Sequence, residues 1–170
     1  MMKRIVILLA VIAGLFYSCT IKLNGASIPA EMKTINIQFF ENNAPLVIPY
    51  LSQQFTEDLK TRVRNQSRLS LSQTDADATM EGRITGYDIK PVSLADNQQQ
   101  LNTGASRLTI TISVKYTNNL NAKQSFEESF SRYKDFTLTG SNLEAQQPQL
   151  IKDINAQLTE DVFNRAFAQW

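Results

Sequence analysis

Few side chains in this sequence could carry chemistry. The 170 residues contain one cysteine and no histidine. A Cys/His zinc site, a histidine-based triad and a histidine general base are therefore excluded. Two carboxylate pairs remain, Asp75/Asp77 and Glu127/Glu128. A retaining glycosidase needs two carboxyl groups about 5–5.5 Å apart across a cleft. Asp75 and Asp77 instead fall in a Ser/Thr/Asp-rich turn, and adjacent residues such as Glu127 and Glu128 point to opposite faces of a strand. Both pairs read as solvated charge. The sequence has no P-loop, GxGxxG or EF-hand pattern. The expectation is a protein that is not an enzyme and holds neither cofactor nor metal.

The cations Arg107, Lys115, Arg132 and Lys134 could meet lipid phosphates, because a guanidinium forks onto phosphate oxygens. The plain alternative for each is solubility. There are 17 basic and 16 acidic residues, and Lys3 and Arg4 lie in the first segment. No overall basic field exists to attract nucleic acid.

Cys19 stands where a thiol has a specific use. Met1-Met2-Lys3-Arg4 is a short basic segment, and residues 5–16, IVILLAVIAGLF, are uninterrupted apolar. That is the layout of a secretory signal, and the run is shorter than the roughly 20 residues of a spanning helix. Ser18-Cys19 at its end resembles the lipobox of bacterial lipoproteins, although Phe16 and Tyr17 are bulkier than is usual there. The resemblance implies cleavage before Cys19, diacylation of its sulfur and acylation of its new amine. Two acyl chains already anchor a protein stably. The alternative is an ordinary signal peptide with an incidental cysteine. The expected organisation is a signal peptide at 1–18, a lipidated tether at 19–31 and one domain at 32–170.

The elements that must position everything else follow from periodicity. Residues 33–40, KTINIQFF, read as a strand, ended by ENNAP. Val47, Leu51, Phe55, Leu59 and Val63 recur at every fourth position and line one helix face, with Pro49 in its first turn. Residues 68–73 suggest a short strand and 78–92 a long one, whose apolar phase switches at Gly86, a β-bulge signal. Residues 93–105 read as a polar loop. In residues 106–117 the apolar set Leu108, Ile110, Ile112, Val114 and Tyr116 alternates with Arg107, Thr109, Thr111, Ser113 and Lys115. Residues 123–139 return as a strand with Phe126, Phe130 and Phe136 on one parity, and a helix is expected over about 148–168. The Phe sets of this strand and of the final helix read as core, and Trp170 as core or an exposed contact. The order β-α-β-β-β-α predicts an α+β two-layer sandwich, a mostly antiparallel sheet of about four strands with two helices on one face. The Thr/Ser face of residues 107–115 would be left bare.

This combination resembles the LptE family. The resemblance is carried by the start ending in Cys19, TINIQFF, YLSQQFTEDLKTRV, ATMEGRITGYDI, SRLTITISVKYT and the closing helix, in the family's order. It implies a non-enzymatic lipoprotein subunit of the lipopolysaccharide translocon. Such a subunit sits as plug and assembly factor inside an LptD-type outer-membrane β-barrel, as a heterodimer, and contacts lipopolysaccharide. It would be lipid-anchored on the periplasmic side of the outer membrane. The absence of an acidic cluster after Cys19 agrees with that side. A barrel lumen is polar, so Arg107, Thr109, Thr111, Ser113 and Lys115 become the candidate contacts with barrel or lipopolysaccharide. The alternatives are an auxiliary lipoprotein of another envelope lipid transporter, or an activator of cell-wall synthesis.

Overall fold

A computed structural model describes residues 28–92, 105–137 and 143–168. The elements in chain order are β1 (Thr34–Ile37), β2 (Glu41–Asn42), α1 (Leu51–Gln66), β3 (Ser70–Leu71), β4 (Ala78–Pro91), β5 (Ala105–Asn118), a single 3-10 turn (Ala122–Gln124), β6 (Phe126–Thr137) and α2 (Leu143–Phe167). Cys19, the signal segment, most of the expected loop at 93–105 and Trp170 lie outside the described residues.

The α+β class stands, but the sheet is larger than expected and mixed. It has six strands in the order β3-β1-β4-β5-β6, with β2 also beside β4. β4, β5 and β6 form an antiparallel meander, whereas β1 pairs parallel with β3 and β4, and β2 parallel with β4. The two additional pairings come from two-residue strands: β3 lies inside residues 68–73, where a short strand is expected, and β2 is too short for any alternation to register. ENNAP, expected only to break the first strand, supplies one of them.

Other boundaries moved for local reasons. α1 begins at Leu51, and Val47, expected on its buried stripe, is 56% exposed. Pro49 pushes the residue before it toward extended backbone and lies ahead of the helix rather than in its first turn. β6 begins three residues later than expected because Asn121 caps the 3-10 turn, its side chain accepting from the Lys123 N–H. α2 starts five residues before Pro148, which lies inside it. Pro148 removes one helical N–H, but it sits on an exposed side of the helix. The upstream turn is tied down by Gln147, which donates to the Tyr87 hydroxyl at 2.6 Å, and by Gln146, which donates to the Thr137 carbonyl at 3.3 Å.

The bulge in β4 falls where Gly86 signalled it. Ile84 faces Ile112 and Gly86 faces Thr111, so Thr85 is extra. The shift puts Met80 and Ile84 before it, and Tyr87 after it, on the same buried side. Both helices cover this side. Leu51, Phe55, Leu59 and Val63 of α1 and Ile151, Ile154, Leu158 and Val162 of α2 join Leu108, Ile110, Ile112, Val114 and Tyr116 of β5 in one core. Burial of each large apolar side chain is worth about 1.5–3 kcal/mol, so this layer dominates stability. Phe136, Phe163 and Phe167 are buried, and Phe126 and Phe130 pack half-buried against the same cluster. The Tyr116 ring sits 5.5 Å from Phe126 and 5.8 Å from Phe167, and burial pushes its hydroxyl up to about 12.

Candidate functional site: the bare face of the sheet

Alternation along β5 places Arg107, Thr109, Thr111, Ser113 and Lys115 opposite the helices, all half-buried or exposed. The neighbouring strands extend this surface. On β4, Glu81 lies opposite Lys115, Arg83 opposite Ser113, Asp88 opposite Thr109 and Lys90 opposite Arg107. On β6, Glu127 faces Lys115, Ser129 faces Ser113, Ser131 faces Thr111, Tyr133 faces Thr109 and Asp135 faces Arg107. The result is a polar floor three strands wide that no helix among the described residues covers.

The cations at its two ends are already engaged. Arg107 forks onto Asp135 and lies 3.7 Å over the Tyr133 ring; Lys115 Nζ is 2.8 Å from Glu81. The Arg107 guanidinium holds the Asp135 carboxyl below its ordinary range. In the middle, the Thr111 and Ser131 hydroxyls are 3.0 Å apart. The end cations and the central hydroxyls of the face are thus paired within it, whereas Arg83 and Glu127 enter no ion pair among the described residues. Sequence reasoning missed Glu81, Arg83, Tyr133 and Asp135 as members. The first two were hidden by the phase change at Gly86, and the last two by the apolar parity of β6, which drew attention to the other side.

Arg132 and Lys134 do not belong to this face. They project on the helix side of β6, where Arg132 forks onto Asp161 and Lys134 reaches Asp153, both on α2. Glu128 meets Arg165 there at 2.8 Å, so three ion pairs fasten the edge strand to α2. They are therefore unsuited to meet lipid phosphates.

The carboxylate pairs also resolve. Glu127 and Glu128 point to opposite faces, as expected. Asp77 is no solvated charge. Its Oδ2 accepts from the Lys33 N–H at 2.8 Å, the Thr34 N–H at 3.0 Å and the Thr34 hydroxyl at 3.1 Å. These bonds, the Lys33 N–H first, lower its pKa. Its backbone carbonyl accepts from Asn119 at 2.9 Å, so one residue joins the start of β1 to the β5–β6 turn. Asp75 beside it takes a left-handed backbone, φ 48°, which Asp tolerates. No group of three His, Cys, Asp or Glu side chains among the described residues could hold a metal ion. No helix among them is long and apolar enough to cross a membrane.

Comparison with known proteins agrees with this architecture. The backbone is similar to a minor lipoprotein from Acinetobacter baumannii (TM-score 0.51, 12% identity, 79% of this chain and 91% of that one). It is also similar to the rare lipoprotein B from Shewanella oneidensis (TM-score 0.53, 11% identity, 78% and 92%). A third similar fold is the hypothetical protein CT253 from Chlamydia trachomatis (TM-score 0.55, 10% identity, 81% and 99%). At such identities the likeness is one of fold. No curated protein matches the sequence. The family model LptE, lipopolysaccharide-assembly, matches residues 32–166, which span the whole sheet and all but the last residue of α2. The chain belongs to the LptE family.

Proposed function

We propose that this protein is the non-enzymatic lipoprotein subunit of a lipopolysaccharide translocon, acting as plug and assembly factor of an LptD-type β-barrel. In this reading Cys19 carries the lipid and holds the domain on the periplasmic side of the outer membrane. The observation that supports it best is the bare face of β4, β5 and β6. A solvated antiparallel sheet can leave one side to water, but a plug must present hydrogen-bonding groups to a polar lumen. This face offers hydroxyls, an aromatic ring and paired charges over three strands. Its internal pairing matters for that role. Arg107–Asp135 and Lys115–Glu81 would enter the interface already matched, where an unmatched buried charge would cost several kcal/mol.

The test is co-purification from native membranes. The wild-type protein should bring a large outer-membrane β-barrel with it. Recovery of an inner-membrane transporter or a cell-wall synthase in place of a barrel would overturn the reading.

A further inference from the structure

One part of the bare face differs from the rest. Where the chain crosses from β1 to β2, residues 38–43 stand beside the middle of β4 and leave a concavity of about 300 Å³. That is at the small end of ligand pockets, with room for roughly a disaccharide. Its rim holds an aromatic ring, Phe39, which is 59% exposed. Around the ring stand Gln38, Glu41, Asn43, Arg83 and Glu127. Elsewhere on the face the charged groups Arg107, Asp135, Lys90 and Asp88 are paired; here these five side chains enter no hydrogen bond or ion pair among the described residues.

The mix of groups narrows the ligand class. Arg83 and the Lys115–Glu81 pair share the rim with Glu41 and Glu127, so acids outnumber cations and a free anion is not favoured. Two cations in the same wall disfavour a metal or a cationic peptide. A purely apolar ligand would strand too many polar groups. What fits is a neutral molecule with many hydroxyls, each able to donate and accept, and with one apolar face for Phe39. Those are the properties of a sugar ring. Its C–H edges lie against an aromatic face, while amide, carboxylate and guanidinium groups bond its hydroxyls.

We propose that this concavity is a saccharide-binding site, with Phe39 stacking on a sugar ring and Gln38, Glu41, Asn43 and Arg83 bonding its hydroxyls. Both pyranose rings of lipopolysaccharide and those of cell-wall glycan have this chemistry. The proposal rests on the function proposed above only for the origin of the sugar.

The test uses the full-length acylated protein in detergent micelles and its amide NMR spectrum. Two probes are titrated: the core oligosaccharide freed of its lipid by mild acid, and the disaccharide repeat of the cell-wall glycan. The expected result is a shift of amides in residues 38–43 and 81–83, saturating near about 1 mM, with no shift at Thr109 or Ser131. Phe39→Ala should weaken binding about tenfold, the loss of one stacked ring. Arg83→Gln should weaken it about threefold or more. Both side chains are exposed, so the rest of the spectrum should be unchanged. Shifts with the core oligosaccharide assign the site to lipopolysaccharide, and shifts with the glycan disaccharide assign it to the cell wall; either supports a saccharide site. No shift with either probe, or wild-type affinity in both variants, overturns the proposal. Barrel co-purification with the same variants separates the two readings. A retained barrel with no saccharide shift sinks the site alone, and a missing barrel in the wild type sinks the translocon role alone.

Discussion

Arg107 grips Asp135 through two hydrogen bonds, 2.7 Å from Nε to Oδ1 and 2.9 Å from Nη2 to Oδ2, while its guanidinium lies over the Tyr133 ring. The pair crosses from β5 to β6 at directly opposed positions. Asp135 and Tyr133 of the neighbouring strand thus hold the cation at one end of the bare face. The same relationship dictates how the face should be probed. Removing Arg107 alone leaves Asp135 without its partner, and any lost association would mix two causes.

A charge swap avoids this. Arg107→Asp with Asp135→Arg keeps an ion pair across the same register and moves the cation by one strand. We expect the fold and its unfolding midpoint to be nearly unchanged, since partly exposed pairs contribute little. Arg107→Glu with Lys115→Glu, in contrast, sets new acids beside Asp135 and Glu81. It should weaken barrel association by about tenfold or more. Pull-down yield and circular dichroism on the same preparations decide it. Unchanged barrel recovery in the double reversal would leave the face as solvated surface only.

Gly82 has no room for a side chain. A Cβ there would collide with the Ser113 carbonyl and lie 2.5 Å from the Phe40 ring, which itself packs edge-on at 5.0 Å against Phe55. Gly82→Ala should therefore destabilise by about 1–3 kcal/mol through overpacking, read as a lower denaturant midpoint at constant m-value. A neutral result would mean that β4 and the β1–β2 crossing separate more easily than their packing implies.

Two carboxylates should give opposite pH signatures. The Asp77 pKa is lowered in the fold, first by the Lys33 N–H. Its contribution is present above the unfolded value, near about 4, and is lost as pH falls through the folded value. Asp58 is raised by burial between α1 and α2, where Asn155 donates to it at 3.4 Å. Its charge costs stability above its folded pKa, and that cost disappears as pH falls. Asp77→Asn should flatten the acid limb of the stability–pH profile, and Asp58→Asn should raise stability at neutral pH. Parallel profiles for wild type and Asp77→Asn below about pH 4 would show that the Asp77 cluster is not what acid breaks.

Cys19 should be the first residue of the mature protein and should carry acyl chains. Intact-mass measurement of protein extracted from membranes checks this directly. A mature chain beginning elsewhere, or an unmodified Cys19, would refute the anchoring. Cys19→Ser should release the domain into the soluble fraction with its fold intact, since its core needs no lipid.

The sequence alone determined the parts of this protein that repeat with a regular period. The strict alternation of β5 fixed which side chains are buried and which form the bare face, because one strand has only two sides. The four-residue stripe of α1 and the phase change at Gly86 were legible for the same reason. What only the tertiary structure decided are relationships between segments. Two-residue β2 gains its hydrogen bonds from β4, so nothing local announces it, and the short strand expected at 68–73 acquires its parallel partner β1 only in the fold. Arg132 and Lys134 look like their neighbours on the bare face until α2 arrives with Asp161 and Asp153. Asp77 looks like a surface charge until the start of β1 brings three donors to it. The concavity exists only because residues 38–43 pass beside Arg83, far along the chain. Periodicity is a property of one segment and can be read along the chain; a pairing or a hollow belongs to two segments, and packing alone brings them together.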